Sequence, residues 1–179
     1  ADSKRAFRDE EQLISYLITR FPATFAVCCK VFEEIRSRLP SLPIHSILDL
    51  GSGPGSASWA AAQMIPELNT LHMVEREVDA IEMGKRLARL GASSLAQASW
   101  TRCSLETEFL IPKADAAVLS YVLGEMSLEQ SQKIVDRLWA SPIPLLILIE
   151  PGTPRGYERI IALRDEMIRK GAQIVAPCP

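Results

Sequence analysis

The chain has 179 residues, 47% of them hydrophobic, and a formal net charge of −2. A chain of this length can bury one hydrophobic core. Its near-neutral charge does not imply strong non-specific binding of nucleic acid, although local basic patches remain open, and we expect no DNA partner. No apolar run approaches the roughly 18 residues of a membrane span, so we expect no membrane partner either.

Apolar spacing predicts two helices at the start of the chain, over residues 6–20 and 23–38, with Pro22 opening the second. A proline-containing linker follows at residues 39–43, so we take 1–43 as an N-terminal helical segment. Strands and helices then alternate over 44–179. Strands are predicted at 46–50, 70–75, 97–103, 116–121, 145–150 and 172–175, and helices at 56–64, 78–90, 128–139 and 155–170.

This alternation predicts an α/β fold with a Rossmann-like, doubly wound and mostly parallel sheet, because crossover helices join parallel strands. The Ser127-Leu128-Glu129-Gln130 segment is typical of a capping box at the start of a helix. The 145–150 run is almost wholly apolar, as expected for a strand covered on both faces.

The first predicted strand runs into a glycine-rich turn, Gly51-Ser52-Gly53-Pro54-Gly55, and Glu75 follows Gly55 by 20 residues. In doubly wound folds such glycines permit a tight turn and close approach of a ligand, while the acid binds ribose hydroxyls. The alternative is a turn whose glycines only permit close packing of helix on sheet.

The detail of the loop favours one cofactor. Pro54 lacks an N–H donor, the spacing departs from G-x-G-x-x-G, and no Gly-Lys-Ser/Thr follows. A cofactor with a ribose but no phosphate fits this loop, which indicates S-adenosylmethionine. Ligands of open sheets lie at the carboxyl ends of the strands. The predicted cofactor-binding residues are accordingly Asp49, Gly51, Ser52, Gly53, Gly55, Glu75, Ser104 and Ser120.

Methyl transfer is an in-line displacement that needs positioning, and a base only where the acceptor must lose a proton. Glu125 is a candidate base or acceptor-binding group, or else a partner for the N-terminus of the following helix. Tyr121 either stacks on a base or simply ends a strand. The fourth strand lacks the Asn/Asp-Pro-Pro-Tyr/Phe motif used for amino acceptors.

Other polar residues have plain structural interpretations. His45 and His72 have no partners at metal-ligand spacing, and the four cysteines include no C-x-x-C pair. The arginines of the 155–170 helix form either a solvated face or a contact with RNA phosphate.

Five segments together resemble the methyltransferase-like proteins of the mitochondrial small ribosomal subunit and their bacterial relatives, within the class I methyltransferases. The Glu-Pro-Gly-Thr-Pro run from Glu150 and the Ala-Pro-Cys-Pro run from Ala176 are the most distinctive. The resemblance covers most of the chain. The segments are Arg20–Ala26, Leu48–Ala60, Val118–Glu125, Ile149–Gly156 and Gly171–Pro179.

The resemblance implies an S-adenosylmethionine-dependent methyltransferase of small-subunit rRNA. A non-catalytic assembly factor that keeps the fold is the second possibility, and a small-molecule methyltransferase is the third. The resemblance also implies an iron-sulfur cluster in the longer protein, with Cys178 as its first ligand.

The chain starts without Met and ends soon after an apolar run, so we expect a fragment whose closing strands and remaining cluster ligands lie downstream. We expect a monomer, in the cytoplasm of a bacterium or in the mitochondrial matrix of a eukaryote.

Overall fold

The computed structural model of the chain describes residues 10–177. Its centre is one sheet of five strands in the order β3-β2-β1-β4-β5, and every neighbouring pair is parallel. The order reverses between β1 and β4, as in a doubly wound sheet, which confirms the predicted fold class. The strands are β1 Ser46–Leu50, β2 Thr70–Glu75, β3 Ser99–Arg102, β4 Ala116–Ser120 and β5 Leu145–Ile149.

In the part of the chain that the structure describes, six helices cover the two faces of the sheet, and a 3-10 turn follows β4 at Leu123–Glu125. The predicted capping box is present, since the Ser127 hydroxyl accepts the Gln130 N–H and the Gln130 side chain accepts the Ser127 N–H. The helices are α1 Glu10–Arg38, α2 Ser56–Met64, α3 Val78–Ala88, α4 Ser93–Ala96, α5 Leu128–Trp139 and α6 Pro154–Arg169.

Alternate residues of each strand pack on opposite faces, which produces two core clusters. Ile47 of β1 lies in the cluster formed with α1, α2 and α4, whereas Leu48 lies in the cluster formed with α5 and α6. Cys28 and Phe32 are fully buried in the first cluster, so the second half of α1 is part of the same core as the sheet. The division of the chain into a helical segment, 1–43, and an α/β domain, 44–179, stays a prediction.

The prediction of two N-terminal helices was wrong for the part of the chain that the structure describes. Residues 10–38 form one helix with Pro22 inside it. Proline removes one backbone donor from a helix but does not have to end it. Tyr16, Ala23 and Val27 lie on the same side of the domain on both sides of Pro22, so packing favours one continuous helix.

The strand predicted at 172–175 is absent, and these residues have no regular structure. Gly171 has a positive φ of 94°, and the Ala172 N–H donates to the carbonyl of Met167, 2.9 Å away, so this segment caps α6. An apolar sequence forms a strand only where a sheet edge pairs with it.

The stretch Ile14–Arg38 of α1 is long and apolar enough, by length and composition, to cross a membrane. Cys28, Phe32 and Ile35 of this stretch contribute to the core, but only 6% of its apolar window is buried, and Ile18 is 71% exposed. The expectation of no membrane partner stays a prediction.

Asp115, just before β4, joins the starts of two strands. Its Oδ2 accepts the N–H groups of His45 and Ser46, both at 2.8 Å, and the Ser46 hydroxyl at 2.9 Å. Partial burial acts to raise the pKa of Asp115, but these hydrogen bonds outweigh it, and the net pKa lies below the ordinary value. The carboxylate therefore sets the register of β4 against β1.

We expect Asp115→Asn to lower the free energy of unfolding at pH 7 by about 1 kcal/mol, since the amide retains one acceptor and presents an NH₂ group to donors. A depressed carboxyl pKa stabilises the fold above about pH 4 and ceases to do so as the pH falls through the folded-state pKa. Urea unfolding from pH 7 to pH 3 measures this: the deficit should shrink at the acid end. A pH-independent deficit, or an equal one in the exposed Asp165→Asn control, would contradict the assignment.

Candidate functional site

The turn after β1 is built by glycines in the left-handed region, with φ of 68° at Gly51, 54° at Gly53 and 101° at Gly55. A Cβ on Gly51 would lie 2.3 Å from Cγ2 of Val122, and one on Gly55 would lie 2.8 Å from Cε of Met73. Close packing therefore accounts for these two glycines. A Cβ on Gly53 would approach only the Tyr16 hydroxyl, at 3.8 Å, so this position faces open space.

Every N–H donor of this turn is already engaged. Gly51 and Ser52 donate to the carbonyl of Val74 at 2.8 and 3.1 Å, and Gly55 donates to that of Ser52 at 2.9 Å. Gly53 donates to the carboxylate of Glu75 at 2.8 Å, and Pro54 has no donor. The turn therefore offers no free backbone amide to a phosphate, in contrast to a phosphate-binding loop.

Glu75 ends β2 and is 8% exposed. Its Oε2 accepts the Gly53 N–H, and its Oε1 accepts the N–H groups of Arg76 and Glu77 at 2.7 and 2.9 Å. A carboxylate has about four acceptor positions, so three bonds leave one on Oε2. Glu75 thus fixes the glycine turn and still presents an acceptor to the cavity that it lines.

Asp49 is 1% exposed and does not line that cavity. Its Oδ2 accepts the Ser58 hydroxyl at 2.7 Å. The pKa of Asp49 is raised to about 6. Burial is the main cause and the Glu75 charge adds to it, while hydrogen bonds from the Ser58 hydroxyl and N–H lower the pKa in part. Asp49 thus holds the first turn of α2 in place from beneath the glycine turn.

A cavity of about 450 Å³ opens at the carboxyl ends of the strands, where the sheet order reverses. It is within the size range of small-molecule and cofactor sites. The structure places Asp49, Ser52 and Gly55 outside the lining. Of the predicted site residues, it brings together Gly51, Gly53, Glu75, Ser104, Ser120, Tyr121 and Glu125.

Helix α1 contributes a wall of the cavity that the sequence did not predict. Tyr16, Arg20, Ala23, Thr24 and Val27 line the cavity. Their spacing of four, three, one and three residues places them on one helical face. This spacing is the feature of the sequence that could have predicted a shared face. Burial raises the pKa of Tyr16, the neighbouring Ser56 side chain lowers it, and the charges of Asp49, Glu75 and Glu125 raise it.

The end of β4 forms the opposite wall. Tyr121 adopts a φ of 59°, unusual for a residue other than glycine, and its N–H donates to the carbonyl of Ile149 at 2.8 Å. Such backbone strain is concentrated at functional sites. Burial raises the pKa of the Tyr121 hydroxyl, and the charges of Cys28 and Glu150 raise it further.

Glu125 lies on the 3-10 turn, with a half-exposed side chain 3.4 Å from the guanidinium of Arg76. Burial raises its pKa, and Arg76 partly offsets the rise. Because Ser127 and Gln130 cap α5, that helix does not need Glu125. Glu150 holds the turn in place by accepting the Gly124 N–H at 3.2 Å.

Residues 10–177 contain no cluster of three or more His, Cys, Asp or Glu side chains that could hold a metal. His45 contacts the carbonyl of Glu67, and His72 contacts the Ser99 hydroxyl. The predicted ligand Cys178 lies outside the residues that the structure describes.

Solved structures of low sequence identity share the fold. A SAM-dependent methyltransferase from Leishmania major is 18% identical, has a TM-score of 0.54 and matches 78% of this chain and 63% of its own. The plantazolicin methyltransferase BpumL, solved with S-adenosylhomocysteine, is 16% identical with a TM-score of 0.58, over 75% of this chain and 49% of its own. These likenesses place the chain in the class I methyltransferase fold.

Relatives detected by sequence are ribosomal or mitochondrial in name. The human mitochondrial ribosome assembly protein METTL17 is 28% identical over 92% of this chain and 39% of its own length. The mitochondrial Rsm22-cox11 tandem protein 2 of Schizosaccharomyces pombe is 26% identical over 99% of this chain. The chain spans only 39% and 26% of these two relatives. Residues 10–179 match the model of the mitochondrial small ribosomal subunit protein Rsm22, and the chain belongs to that family.

Proposed function

We propose that this chain binds S-adenosylmethionine and is the cofactor-binding part of a methyltransferase that acts on the RNA of the small ribosomal subunit. The observation that carries the proposal is the cavity at the β1/β4 switch point, where the open side of Gly53 and the free acceptor position of Glu75 meet. Family membership supports the ribosomal partner.

The residues present fit this cofactor. Glu75 has an acceptor position for a ribose hydroxyl, and the engaged amides of the turn suit a nucleoside without phosphates. Three carboxylates and two guanidinium groups line the cavity, which suits a ligand with a cationic sulfonium: Glu75, Glu106, Glu125, Arg20 and Arg76. When bound, the cofactor supplies an electrophilic methyl group. Ser104 lies on the β3 side of the cavity and Ser120 on the β4 side.

The acceptor belongs on the β4 side, where Tyr121 and Glu125 line the cavity. Tyr121 presents a partly buried ring on which an RNA base can stack. Glu125 is the candidate base, because its carboxylate borders the cavity and its raised pKa improves proton transfer near neutral pH. Glu150 acts through the turn, by fixing the backbone that carries Glu125.

The proposal also covers the cellular compartment of the protein and the iron-sulfur cluster of its full-length form. The named relatives are mitochondrial, so we place a eukaryotic protein of this kind in the mitochondrial matrix and a bacterial one in the cytoplasm. The predicted iron-sulfur cluster, with Cys178 as a ligand, is kept as a proposal for the full-length protein.

A specific observation favours a second function, that of a non-catalytic assembly factor. The segment after β4 reads Ser120-Tyr121-Val122-Leu123, without the amino-acceptor motif, and the human relative is named a ribosome assembly protein. In that case the cavity would hold a ligand, or only water, without chemistry.

Gly53→Arg in the full-length protein should abolish binding of S-adenosylmethionine measured by calorimetry, because the new side chain enters the open space of the cavity. The matched control is Gly171→Arg, which places the same side chain at a positive φ of 94°, at the end of α6, with nothing within 4 Å. The control should bind as the wild type does. Unaltered affinity in Gly53→Arg would remove this cavity as the cofactor site.

If Glu125 is the base, Glu125→Gln should lower kcat for methylation of small-subunit RNA by about 10²-fold while cofactor affinity changes little. A base works when deprotonated, so wild-type activity should rise with pH through its raised pKa, and the variant should lose that rise. Glu129→Gln, on an exposed pair with Lys133, is the control. Absence of methyl transfer by wild-type protein that binds the cofactor would favour the assembly factor.

A further inference from the structure

We infer that Arg20, on α1, binds the carboxylate of the methionine portion of S-adenosylmethionine, and that it makes the cavity selective for a nucleoside that carries an amino acid. This inference rests on the proposed cofactor and adds a specificity-determining residue to its site. It follows from three observations: the shortage of other donors, the charges that line the cavity, and the place of Arg20 along α1.

The first observation is that the glycine turn has no donor left for a carboxylate. Its amides at Gly51, Ser52, Gly53 and Gly55 are bonded to other protein groups, and Pro54 has none. The first residues of α2, Ser56 and Ala57, are buried and do not line the cavity. An anionic group of the ligand therefore needs a side chain as its partner.

The second observation concerns the cationic side chains. Arg20 and Arg76 are the only two that line the cavity within residues 10–177. Arg76 pairs with Glu77 at 3.1 Å and with Glu125 at 3.4 Å. Arg20 makes no ion pair in the described part of the chain, although it lines the same cavity as Glu75, Glu106 and Glu125. It is the available partner for an anion.

The third observation is the position of Arg20 along α1, relative to the ends of the strands. Two contacts locate α1 over the sheet: the Tyr16 hydroxyl lies 3.8 Å from the position that a Cβ on Gly53 would take, and the Cys28 sulfur lies 3.5 Å from the Ser120 hydroxyl. Arg20 is four residues after Tyr16, about 40° around the helix and 6 Å along its axis, so these two residues lie on one face. Cys28 lies about 12 Å further along the axis and is turned toward the core. Arg20 therefore overlies the gap between the β1 turn and the end of β4.

This gap is where the amino-acid end of the ligand belongs. Glu75 on β2 takes the ribose in the proposed pose, and β2 and β4 flank β1 on opposite sides. A ligand with its ribose at β2 extends its other end across β1 toward β4, beneath Arg20. The planar guanidinium can donate two parallel hydrogen bonds to a carboxylate, which a lysine ammonium cannot reproduce.

The test compares S-adenosylmethionine with its decarboxylated analogue, which differs only in lacking the carboxylate, by calorimetry on full-length protein. We expect the wild type to prefer S-adenosylmethionine. Arg20→Met should lower the affinity for S-adenosylmethionine by about tenfold, a modest effect because Arg20 is exposed. It should change the affinity for the decarboxylated analogue less than twofold. Arg20→Lys should recover only part of the preference, and Arg20→Glu should reverse it. Lys30→Met, an exposed α1 residue outside the cavity, should change neither affinity.

The outcomes separate this inference from the proposed function. If the wild type binds neither ligand, the proposed cofactor is wrong and the inference falls with it. If it binds both, and Arg20→Met weakens both equally or neither, the cofactor stands and Arg20 is not the carboxylate partner. Matching thermal unfolding midpoints for the variants would show that the affinities are not altered through folding.

Discussion

The bond between the Gly53 N–H and the Glu75 carboxylate, 2.8 Å long, is the interaction on which the site depends. It joins the turn after β1 to the end of β2, and the remaining bonds of Glu75 fix the chain as it leaves the sheet. Because every amide of the turn is engaged in this way, the turn cannot act as an anion cradle. An anionic group of a ligand would then need a side-chain partner on another element, and the proposed role of Arg20 on α1 follows from that requirement.

The helix α1 connects the core with the cavity. Its second half is held by Cys28 and Phe32, both fully buried, whereas its first half contributes Tyr16 and Arg20 to the cavity wall. Core packing thus determines where the cavity-lining half of the helix lies. A disturbance of the anchored half would shift both the wall and the groups that face a ligand, without any change in the glycine turn itself.

The sequence predicted the parts of the structure that depend on local patterns. Five of the six predicted strands, the capping box at Ser127 and the glycine turn after β1 follow from local patterns and are present. The wall formed by α1 and the pairing of Arg76 with Glu125 depend on tertiary contacts, and the sequence pattern does not determine which helix face meets the cavity. Asp49 shows the same limit. Its place in the motif predicted a ligand contact, whereas its side chain holds α2 from beneath, because its position on β1 directs it into the core.

The two proposed functions differ only in the β4 half of the cavity. In the proposed pose, cofactor binding would use Gly53, Glu75 and Arg20, on elements other than β4, while methyl transfer would use the strained Tyr121 and the turn that carries Glu125. A ligand bound to the folded state alone stabilises it by RT ln(1 + [L]/Kd), about 2.7 kcal/mol at a hundred times Kd, whether or not its methyl group is transferred. An assembly factor could therefore use the cofactor as a structural ligand, and cofactor binding alone would not distinguish it from an enzyme. Only methyl transfer that depends on the β4 turn makes that distinction.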